Sequence, residues 1–270
     1  MGGSAGESVI KLSSPATKEF WEISVVFEDE HLLAINKPAS LLTSPDGDDP
    51  ERPDLMKLLH RDIERGASWA TQRNLTYLMN AHRLDSETSG VLLLAKNKPA
   101  LVALANLFGS EQLTNIYVAL VHGTPEEDSF RIEAKLAPHP TKPGLIRVDP
   151  RRGKRSVTEV TVRESFDRYT LLECRPRTAR PHQIGAHLRY VRLPIVGDAQ
   201  YGGRPLLLSK IKRNYRLKEG DVERPLIATR ALHGERLVIP HPVAGNEVSM
   251  EAPWPKDLTV AVKYLRRFAP

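Results

Sequence analysis

The sequence has a single cysteine, Cys174, among 270 residues, and only 6% of its residues are aromatic. One cysteine excludes a disulfide within the chain and a metal cluster built from its own thiolates. Apolar runs are short: Val91–Ala95, for example, is closed by Lys96, and no run approaches the length of a membrane span. The first twenty residues contain no apolar block typical of a secretion signal, so we expect a cytoplasmic protein.

Acidic residues are outnumbered by basic ones, since 33 Asp and Glu stand against 39 Lys and Arg, for a net charge of +6. This balance suits a polyanionic partner such as a nucleic acid. Residues 1–19 are rich in Gly, Ser and Lys without periodicity, which predicts a flexible tail. No linker-like change of composition divides the remainder, so we expect one domain at residues 20–270.

Short apolar runs bounded by turn residues predict many strands and few helices. Ile23–Phe27 and Leu32–Asn36 predict a hairpin, and helices are expected after Pro53, after Asn97, after Pro181 and over Thr259–Phe268. The other predicted strands are Gly90–Ala95, Asn115–Val121, Phe130–Ala134, Leu145–Val148, Val157–Val162, Tyr169–Arg175, Arg236–Ile239 and Glu247–Glu251. Without a strict βαβ alternation, this order predicts an α+β fold with an extended, mixed and largely antiparallel sheet and flanking helices.

The densest polar cluster in an apolar setting runs from His82 to Ser89 and leads into the predicted strand Gly90–Ala95. A loop that delivers the carboxylate of Asp85 to the mouth of a buried strand is a good place for a reacting group. A nearby cation would keep Asp85 ionised when a substrate excludes water. The alternative is an ordinary turn in which polar side chains satisfy backbone donors, and the residue types alone favour that alternative.

Basic residues concentrate in two stretches that have the composition of surfaces following a phosphate backbone. The candidates for contact with an RNA backbone are Arg151, Arg152, Lys154, Arg155, Lys210, Lys212, Arg213 and Arg216. Tyr215, which lies among the last four, is suited to stacking on a base. For either stretch, a solvated surface is about as good an interpretation.

A third cationic cluster, Arg175–Ile184, supplies side chains that can pair with a carboxylate or with phosphates. Its histidine His182 is five residues from His187, which fits no common helical metal pair. No metal site is therefore predicted.

The motifs around these residues resemble those of the RluA-type pseudouridine synthase family. In chain order, the resembling segments are Asn36–Ala39, His82–Gly90, Ile116–Gly123, Arg180–Ile184, Pro194–Asp198 and Tyr201–Gly202, followed by Leu232–His233 and His241–Pro242. The second of these carries an HRLD run followed by TSG. The resemblance extends from about Ile23 to Trp254, nearly the whole chain.

The resemblance implies an isomerase of the pseudouridine synthase fold, with an active-site cleft across the sheet, that converts uridine in ribosomal or transfer RNA to pseudouridine. The base detaches from the ribose, rotates and rejoins through carbon, and the reaction needs no cofactor or metal. Asp85 matches the family's catalytic aspartate, Tyr117 its active-site tyrosine, and Arg180 the arginine that pairs with the aspartate. The other substrate-binding candidates within the motifs are Lys37, His82, Arg83, Thr88, His182, Gln183 and Ile184.

RNA is the partner that the resemblance implies; no membrane and no obligate protein partner are expected, and we expect a monomer. Family members usually carry arginine where Gly185 stands and lysine where Asn115 stands, and these losses are expected to weaken phosphate binding or loop anchoring. Two alternatives stay open, namely an idle relative that binds RNA during folding or ribosome assembly, and a hydrolase using Asp85 with Glu87 as paired carboxylates. Attack on the sugar by Asp85 and removal of a sugar proton also both stay open.

Overall fold

The computed structural model describes residues 9–45, 52–110, 112–218 and 220–270, and the chain divides into two compact units. The first unit runs up to Thr114 and includes Gly234–Pro253, whereas the second contains Asn115–His233 and Trp254–Pro270. The single domain expected for residues 20–270 stays a prediction. Two of the three boundaries between the units, at residues 114–115 and 233–234, fall inside strands, where no linker composition marks them.

The described residues of the first unit form an antiparallel sheet and three helices. Its strands are β1 (Val9–Ser13), β2 (Phe20–Glu28), β3 (Leu32–Lys37), β4 (Met79–Asn80), β5 (Ser89–Ala95), most of β11 (Leu232–Pro240) and β12 (Glu247–Glu251). The helices are α1 (Leu55–Glu64), α2 (Ser68–Thr71) and α3 (Lys98–Phe108). The sheet order is β1-β2-β3-β5-β11, with β4 beside β5 and β12 beside β11. The pairs β1–β2, β2–β3, β3–β5, β4–β5 and β11–β12 are antiparallel.

Strand β5 is buried along its whole length because both of its faces are covered. On one face, Leu92 and Leu94 belong to an apolar cluster that includes Leu59 of α1. On the other face, Leu93 belongs to a second cluster with Leu104 of α3. Fully burying a leucine side chain stabilises a fold by about 1.5–3 kcal/mol. The strand is therefore a fixed support for whatever precedes it in the chain.

Capping side chains set the starts of the two longer helices in this unit. Asp54 accepts a hydrogen bond from the backbone of Lys57 (2.8 Å) at the start of α1, and Asn97 accepts one from Ala100 (2.9 Å) at the start of α3. The side chain of Asp29 in turn accepts two backbone hydrogen bonds in the loop between β2 and β3. The sequence analysis predicted α3 from Asn97 and the hairpin from its two short apolar runs, whereas it predicted α1 from Pro53 and not from the cap Asp54.

Residues 9–13 form strand β1, so the prediction of a flexible tail at residues 1–19 is wrong there; residues 1–8 lie outside the described part of the chain. Ile10 pairs with Ile23 and Leu12 with Trp21 in the ladder with β2. The side chains of Ile10 and Leu12 are buried while their neighbours are exposed, which is the alternation of a half-buried strand. Five residues of this pattern among Gly, Ser and Lys gave too weak a signal to separate from a tail.

The second unit also contains an antiparallel sheet. Its strands are β6 (Thr114–His122), β7 (Ser129–Pro138), β8 (Ile146–Val148), β9 (Lys154–Ser165) and β10 (Tyr169–Pro176), with the first residues of β11. Its helices are α4 (Gln183–Tyr190), α5 (Leu208–Ile211) and α6 (Lys256–Phe268), with a 3₁₀ turn at Ala199–Tyr201. The sheet order is β11-β6-β10-β9-β7-β8. Helices α4 and α6 place apolar side chains such as Leu188 and Leu265 in its core.

The expected α+β class with a largely antiparallel sheet is confirmed. Besides β1, the sequence analysis missed β4, α2 and α5, which have two to four residues each and little room for a periodic pattern. No helix in the described residues is long and apolar enough to span a bilayer. Cys174 is buried on β10, where burial raises the pKa of its thiol to about 12, so it is a core side chain and not a nucleophile.

Gly90 lies at the start of β5, where the backbone passes against Gly234 of β11. Its φ is +126°, and a Cβ at this position would overlap the backbone of Gly234. An alanine would therefore incur both the cost of a positive φ and the cost of overpacking against backbone that cannot rotate away.

We expect Gly90→Ala to lower the free energy of unfolding by about 3 kcal/mol or more, the sum of those two costs. Gly245→Ala is the matched control, because Gly245 also has a positive φ (+74°) but no heavy atom within 4 Å of its Cβ position. It should lose only about 1 kcal/mol, the cost of a positive φ alone. Urea unfolding of both variants measures this, and equal losses would contradict the close approach at Gly90.

Candidate active site

Asp85 lies in a tight turn at the mouth of β5. The backbone N–H of Thr88 donates to the carbonyl of Asp85 (3.0 Å), and β5 begins one residue later. The buried Thr43 fixes the residue before the turn, since its hydroxyl donates to the carbonyl of Leu84 (2.7 Å) and accepts from the Leu84 N–H (3.2 Å). The turn considered in the sequence analysis is thus present, and it holds the half-buried Asp85 at a defined place. Thr43 was missed because its partner is 41 residues away in the chain.

Lys37 is completely buried next to this turn. It is opposite Gly90 in the β3–β5 ladder, and its Nζ donates to the carbonyl oxygens of Pro38 (2.8 Å), Leu41 (2.7 Å) and Ser86 (3.3 Å). Burial lowers the pKa of Lys37 from 10.5 to about 7, although the charge of Asp85 acts in the opposite direction. The turn that carries Asp85 is therefore tied to a lysine that changes charge near neutral pH.

Three motif residues beside Asp85 differ in their surroundings. The ring of His82 stacks on Phe108 at 4.6 Å, and its Nε2 accepts the N–H of Leu93 (3.0 Å). Burial lowers the pKa of His82 to about 4, so the ring is neutral at physiological pH. Thr88 is buried, and its hydroxyl makes no hydrogen bond within the described residues, whereas Arg83 is exposed. Of these three substrate-binding candidates, Arg83 is the one whose side chain faces solvent.

Tyr117 lies on β6 in the second unit, opposite Cys174 of β10. Its side chain is half-buried, and the amide of Asn115 donates to its hydroxyl (3.3 Å). The donor that contacts the tyrosine hydroxyl is therefore a neutral amide.

Arg180 is exposed in the segment between β10 and α4, and its carbonyl accepts the N–H of Gln183 (3.2 Å). The buried amide of Gln183 donates to the carbonyl of Val157 (2.9 Å) and the hydroxyl of Thr158 (3.0 Å), and it accepts from Thr178 (2.8 Å). Ile184 is part of the core of this unit. Gln183 and Ile184 therefore hold the segment that carries Arg180 instead of facing solvent.

His182 begins α4 with a left-handed backbone conformation, at φ 48°. Its Nδ1 lies 3.2 Å from the hydroxyl of Tyr201, which also accepts the N–H of Ile146 (3.1 Å). A positive φ is uncommon for a residue with a side chain and is kept where its surroundings enforce it. The contact with Tyr201 is thus one of the constraints on the geometry next to Arg180.

The basic candidates fall into paired and unpaired groups. Asp149 accepts the backbone N–H groups of Arg151 and Arg152 in a turn that leaves both side chains exposed. Arg155, in contrast, pairs with Glu133 at 2.8 Å. In the second stretch, Lys210, Arg213 and Arg216 are exposed, and the ammonium of Lys212 lies 5.9 Å from the Tyr215 ring and 5.4 Å from the Phe268 ring. One face of Tyr215 is thus already next to a lysine.

The structure brings Lys37 to the Asp85 turn in the first unit, and it brings His182 and Gln183 to the Arg180 segment in the second. Asp85 belongs to one unit, and Tyr117 and Arg180 belong to the other. The pairing of Arg180 with Asp85 stays a prediction.

Comparison with known proteins assigns the chain to a family. The sequence profile of RNA pseudouridylate synthases matches residues 31–190, which include Asp85, Tyr117 and Arg180. The chain belongs to this family. The expectation of a pseudouridine synthase, and thus of an isomerase, is confirmed.

Among curated members of the family, the chain is similar to proteins named ribosomal large subunit pseudouridine synthase D. The protein of Xylella fastidiosa is 34% identical over 249 residues, which are 90% of this chain and 70% of that protein. The protein of Vibrio vulnificus is 30% identical over 269 residues, 98% of this chain and 78% of that protein. Among solved structures, human RNA pseudouridylate synthase domain containing 4 shares the fold, with a TM-score of 0.66 at 22% identity over 90% of this chain and 92% of that chain.

Removal of the Lys37 ammonium tests its burial at the Asp85 turn. A lysine in the unfolded chain titrates near 10.4, whereas the pKa of Lys37 in the folded protein is about 7. Between these values the unfolded chain binds more protons, so the stability of the wild type rises with pH at this position. We expect the difference in free energy of unfolding between wild type and Lys37→Met to shift in favour of wild type by about 3 kcal/mol from pH 7 to pH 9.5.

Lys98→Met is the matched control, because Lys98 is exposed on α3. Its difference from wild type should stay constant over the same pH range. Urea unfolding at the two pH values measures both variants. A parallel pH response of the two variants would show that Lys37 is not held with a lowered pKa.

Proposed function

We propose that this pseudouridine synthase acts on uridines of ribosomal or transfer RNA and that Asp85 is the reacting carboxylate. The observation that carries the proposal is the turn of Asp85, which is fixed by Thr43 and Lys37 on a fully buried strand. A reacting group needs to be held in place before substrate binds, and this turn provides that support. The relatives named for the ribosomal large subunit favour ribosomal RNA as the substrate.

In the proposed reaction, Asp85 acts on the ribose, either as a nucleophile at the carbon that carries the base or by taking a proton from the sugar as the base leaves. Both routes need the carboxylate ionised although the bound nucleotide excludes water. Opposite charge lowers the pKa of a carboxyl group and burial raises it, so a cation beside Asp85 is required. We assign that role to Arg180, with Lys37 supporting the turn from within the first unit.

Tyr117 is proposed to stack on the target base and to offer its hydroxyl when the proton leaves the base carbon. The bond from the sugar to nitrogen breaks and a bond to carbon forms, so the product is an isomer of the substrate and no oxidant is needed. The target uridine has to leave its stack to reach such a site, which costs a few kcal/mol. Contacts with the rest of the RNA must offset this cost.

Substitution of Asp85 tests the assignment. We expect Asp85→Asn to abolish pseudouridine formation and to keep affinity for RNA, because the amide neither attacks nor accepts the proton. Glu87→Gln makes the same chemical change two residues away at an exposed position and should keep activity. The measurement is pseudouridine mapping of total RNA by carbodiimide-based sequencing, in cells with wild type, either variant or no protein.

Sites that require wild type and fail with Asp85→Asn would also name the substrate. Activity that survived Asp85→Asn would exclude Asp85 as the reacting group. If no site depended on wild type although RNA binding was measurable, the idle RNA-binding alternative would be favoured. Release of free base, lost in both variants, would indicate the hydrolase with paired carboxylates.

We propose that the unpaired cations of the second unit bind the RNA backbone. The surface of that unit also carries several arginines in ion pairs, such as Arg177 with Glu159 and Arg266 with Glu164. Phosphates of the RNA would have to displace those carboxylates before they could pair with these arginines. Arg151, Arg152 and Lys154 are exposed and make no side-chain ion pair within the described residues, so they are free to contact phosphates.

The triple variant Arg151→Gln/Arg152→Gln/Lys154→Gln should bind RNA more weakly and with a smaller dependence on salt. Each lost phosphate contact is expected to reduce the slope of log affinity against log salt by about 0.7–0.9, or about 2–3 for the set. Arg131→Gln/Arg177→Gln/Arg266→Gln removes the same charge from arginines that form ion pairs and should change the slope much less. Equal slopes for both variants, measured by filter binding, would argue against a specific basic surface.

A further inference from the structure

A buried ion pair in the second unit joins Asp198, before the 3₁₀ turn, to Arg230, before β11. Arg230 Nε lies 3.0 Å from Asp198 Oδ2, and their side chains are 3% and 0% exposed. Arg230 Nη2 also donates to the side-chain oxygen of Gln200 (3.5 Å). Burial of two charges is costly, and removal of one partner of a buried ion pair is strongly destabilising. Each side chain therefore depends strongly on the other.

Asp198 organises the turn that follows it. Its carboxylate accepts the N–H of Tyr201 (3.3 Å), and its carbonyl accepts the N–H of Gly203 (2.7 Å). The hydroxyl of Tyr201 contacts His182, whose left-handed backbone begins α4 two residues after Arg180. A chain of contacts thus runs from Arg230 to the segment that carries Arg180.

Gly185 of α4 faces the same carboxylate. A Cβ at this position would lie 3.1 Å from Asp198 Oδ2 and 3.1 Å from the ring of Tyr201, which is closer than an ordinary van der Waals contact. A side chain at residue 185 would therefore emerge directly against the carboxylate that Arg230 neutralises. An arginine placed at residue 185 would bring a cation to Asp198 from α4 instead.

We propose that Arg230 is a positioning residue for the active site, which supplies a cation to Asp198 and whose role can be transferred to an arginine placed at residue 185 of α4. Gly185 takes part in this exchange because it has no side chain and so leaves room beside the carboxylate of Asp198 and the ring of Tyr201. The ion-pair part of the inference stands by itself. The positioning part rests on the proposed function, in which Arg180 acts in catalysis.

The exchange is tested first by stability, with the urea midpoint as the readout. Arg230→Ala should lower the midpoint more than Arg266→Ala, whose arginine pairs with Glu164 at the surface. Gly185→Arg should also lower it, because the new side chain crowds Tyr201 and brings a second guanidinium to one carboxylate. The double variant Gly185→Arg/Arg230→Ala restores one cation to Asp198 and should be more stable than either single variant.

If the two substitutions acted independently, their losses of stability would add, and the double variant would be less stable than either single variant. A double variant whose loss equals the sum of the single losses would overturn the exchange. If Arg230→Ala fails to fold, Arg230→Lys can be measured in its place, because it keeps the charge but lacks the planar guanidinium. It should be more stable than Arg230→Ala.

Activity tests the positioning part. With an RNA substrate defined by the mapping, Arg230→Lys should lower kcat by about tenfold or more, because misplaced catalytic groups slow the chemical step. KM should stay near the wild-type value, because the side chain of Arg230 is buried and does not face the RNA. The double variant should recover kcat above that of Arg230→Ala.

A stable Arg230→Lys with unchanged kcat would overturn the positioning role. A wild-type protein without isomerase activity would overturn both the proposed function and the positioning role. The stability comparison still decides the ion-pair exchange in that case, so the two failures are distinguishable.

Discussion

The first unit depends on the burial of β5 on both faces, because this strand fixes where the polar turn before it begins. A strand held between two apolar clusters cannot shift by one residue without moving every leucine out of its cluster. The fixed register of β5 therefore also fixes the position of the turn at Asp85. Its backbone groups still need partners at the edge of an apolar core, and Thr43 and Lys37 supply them. The reacting carboxylate that we propose is held by the packing of hydrophobic residues, and polar side chains complete that support.

In the second unit, buried polar side chains hold the segments around Arg180 in place. The amide nitrogen of Gln183 attaches the start of α4 to β9, and its amide oxygen accepts from Thr178. The buried pair of Asp198 and Arg230 holds the turn next to His182. Buried polar groups of this kind are stable only when every partner is present, so they restrict the segment around Arg180 to one arrangement. Several motif residues interpreted as substrate contacts, such as Gln183 and Ile184, are buried in this support.

The sequence predicted those parts of the fold that rest on local signals. Asn97 and the apolar residues after it predicted α3, and the HRLD run placed Asp85 before a buried strand. Strand β1 was missed because its evidence is five residues long and its stability comes from a neighbouring strand. Contacts between distant residues were also out of reach, since nothing near Thr43 or Arg230 in the sequence indicates a partner 41 or 32 residues away. The stacking of His82 on Phe108 was out of reach for the same reason, because the two residues are far apart in the sequence.

The position of Cys174 has a practical consequence for experiments in solution. The thiol is enclosed in the core of the second unit, and the sequence has no other cysteine. A cysteine introduced at an exposed site such as Val222, whose side chain is 89% exposed, would be the one accessible to maleimide reagents. A fluorophore or spin label can thus be attached to the wild-type background at a chosen point, with no prior removal of a native cysteine. The enzyme can therefore be labelled for single-molecule observation on RNA without any change to its core.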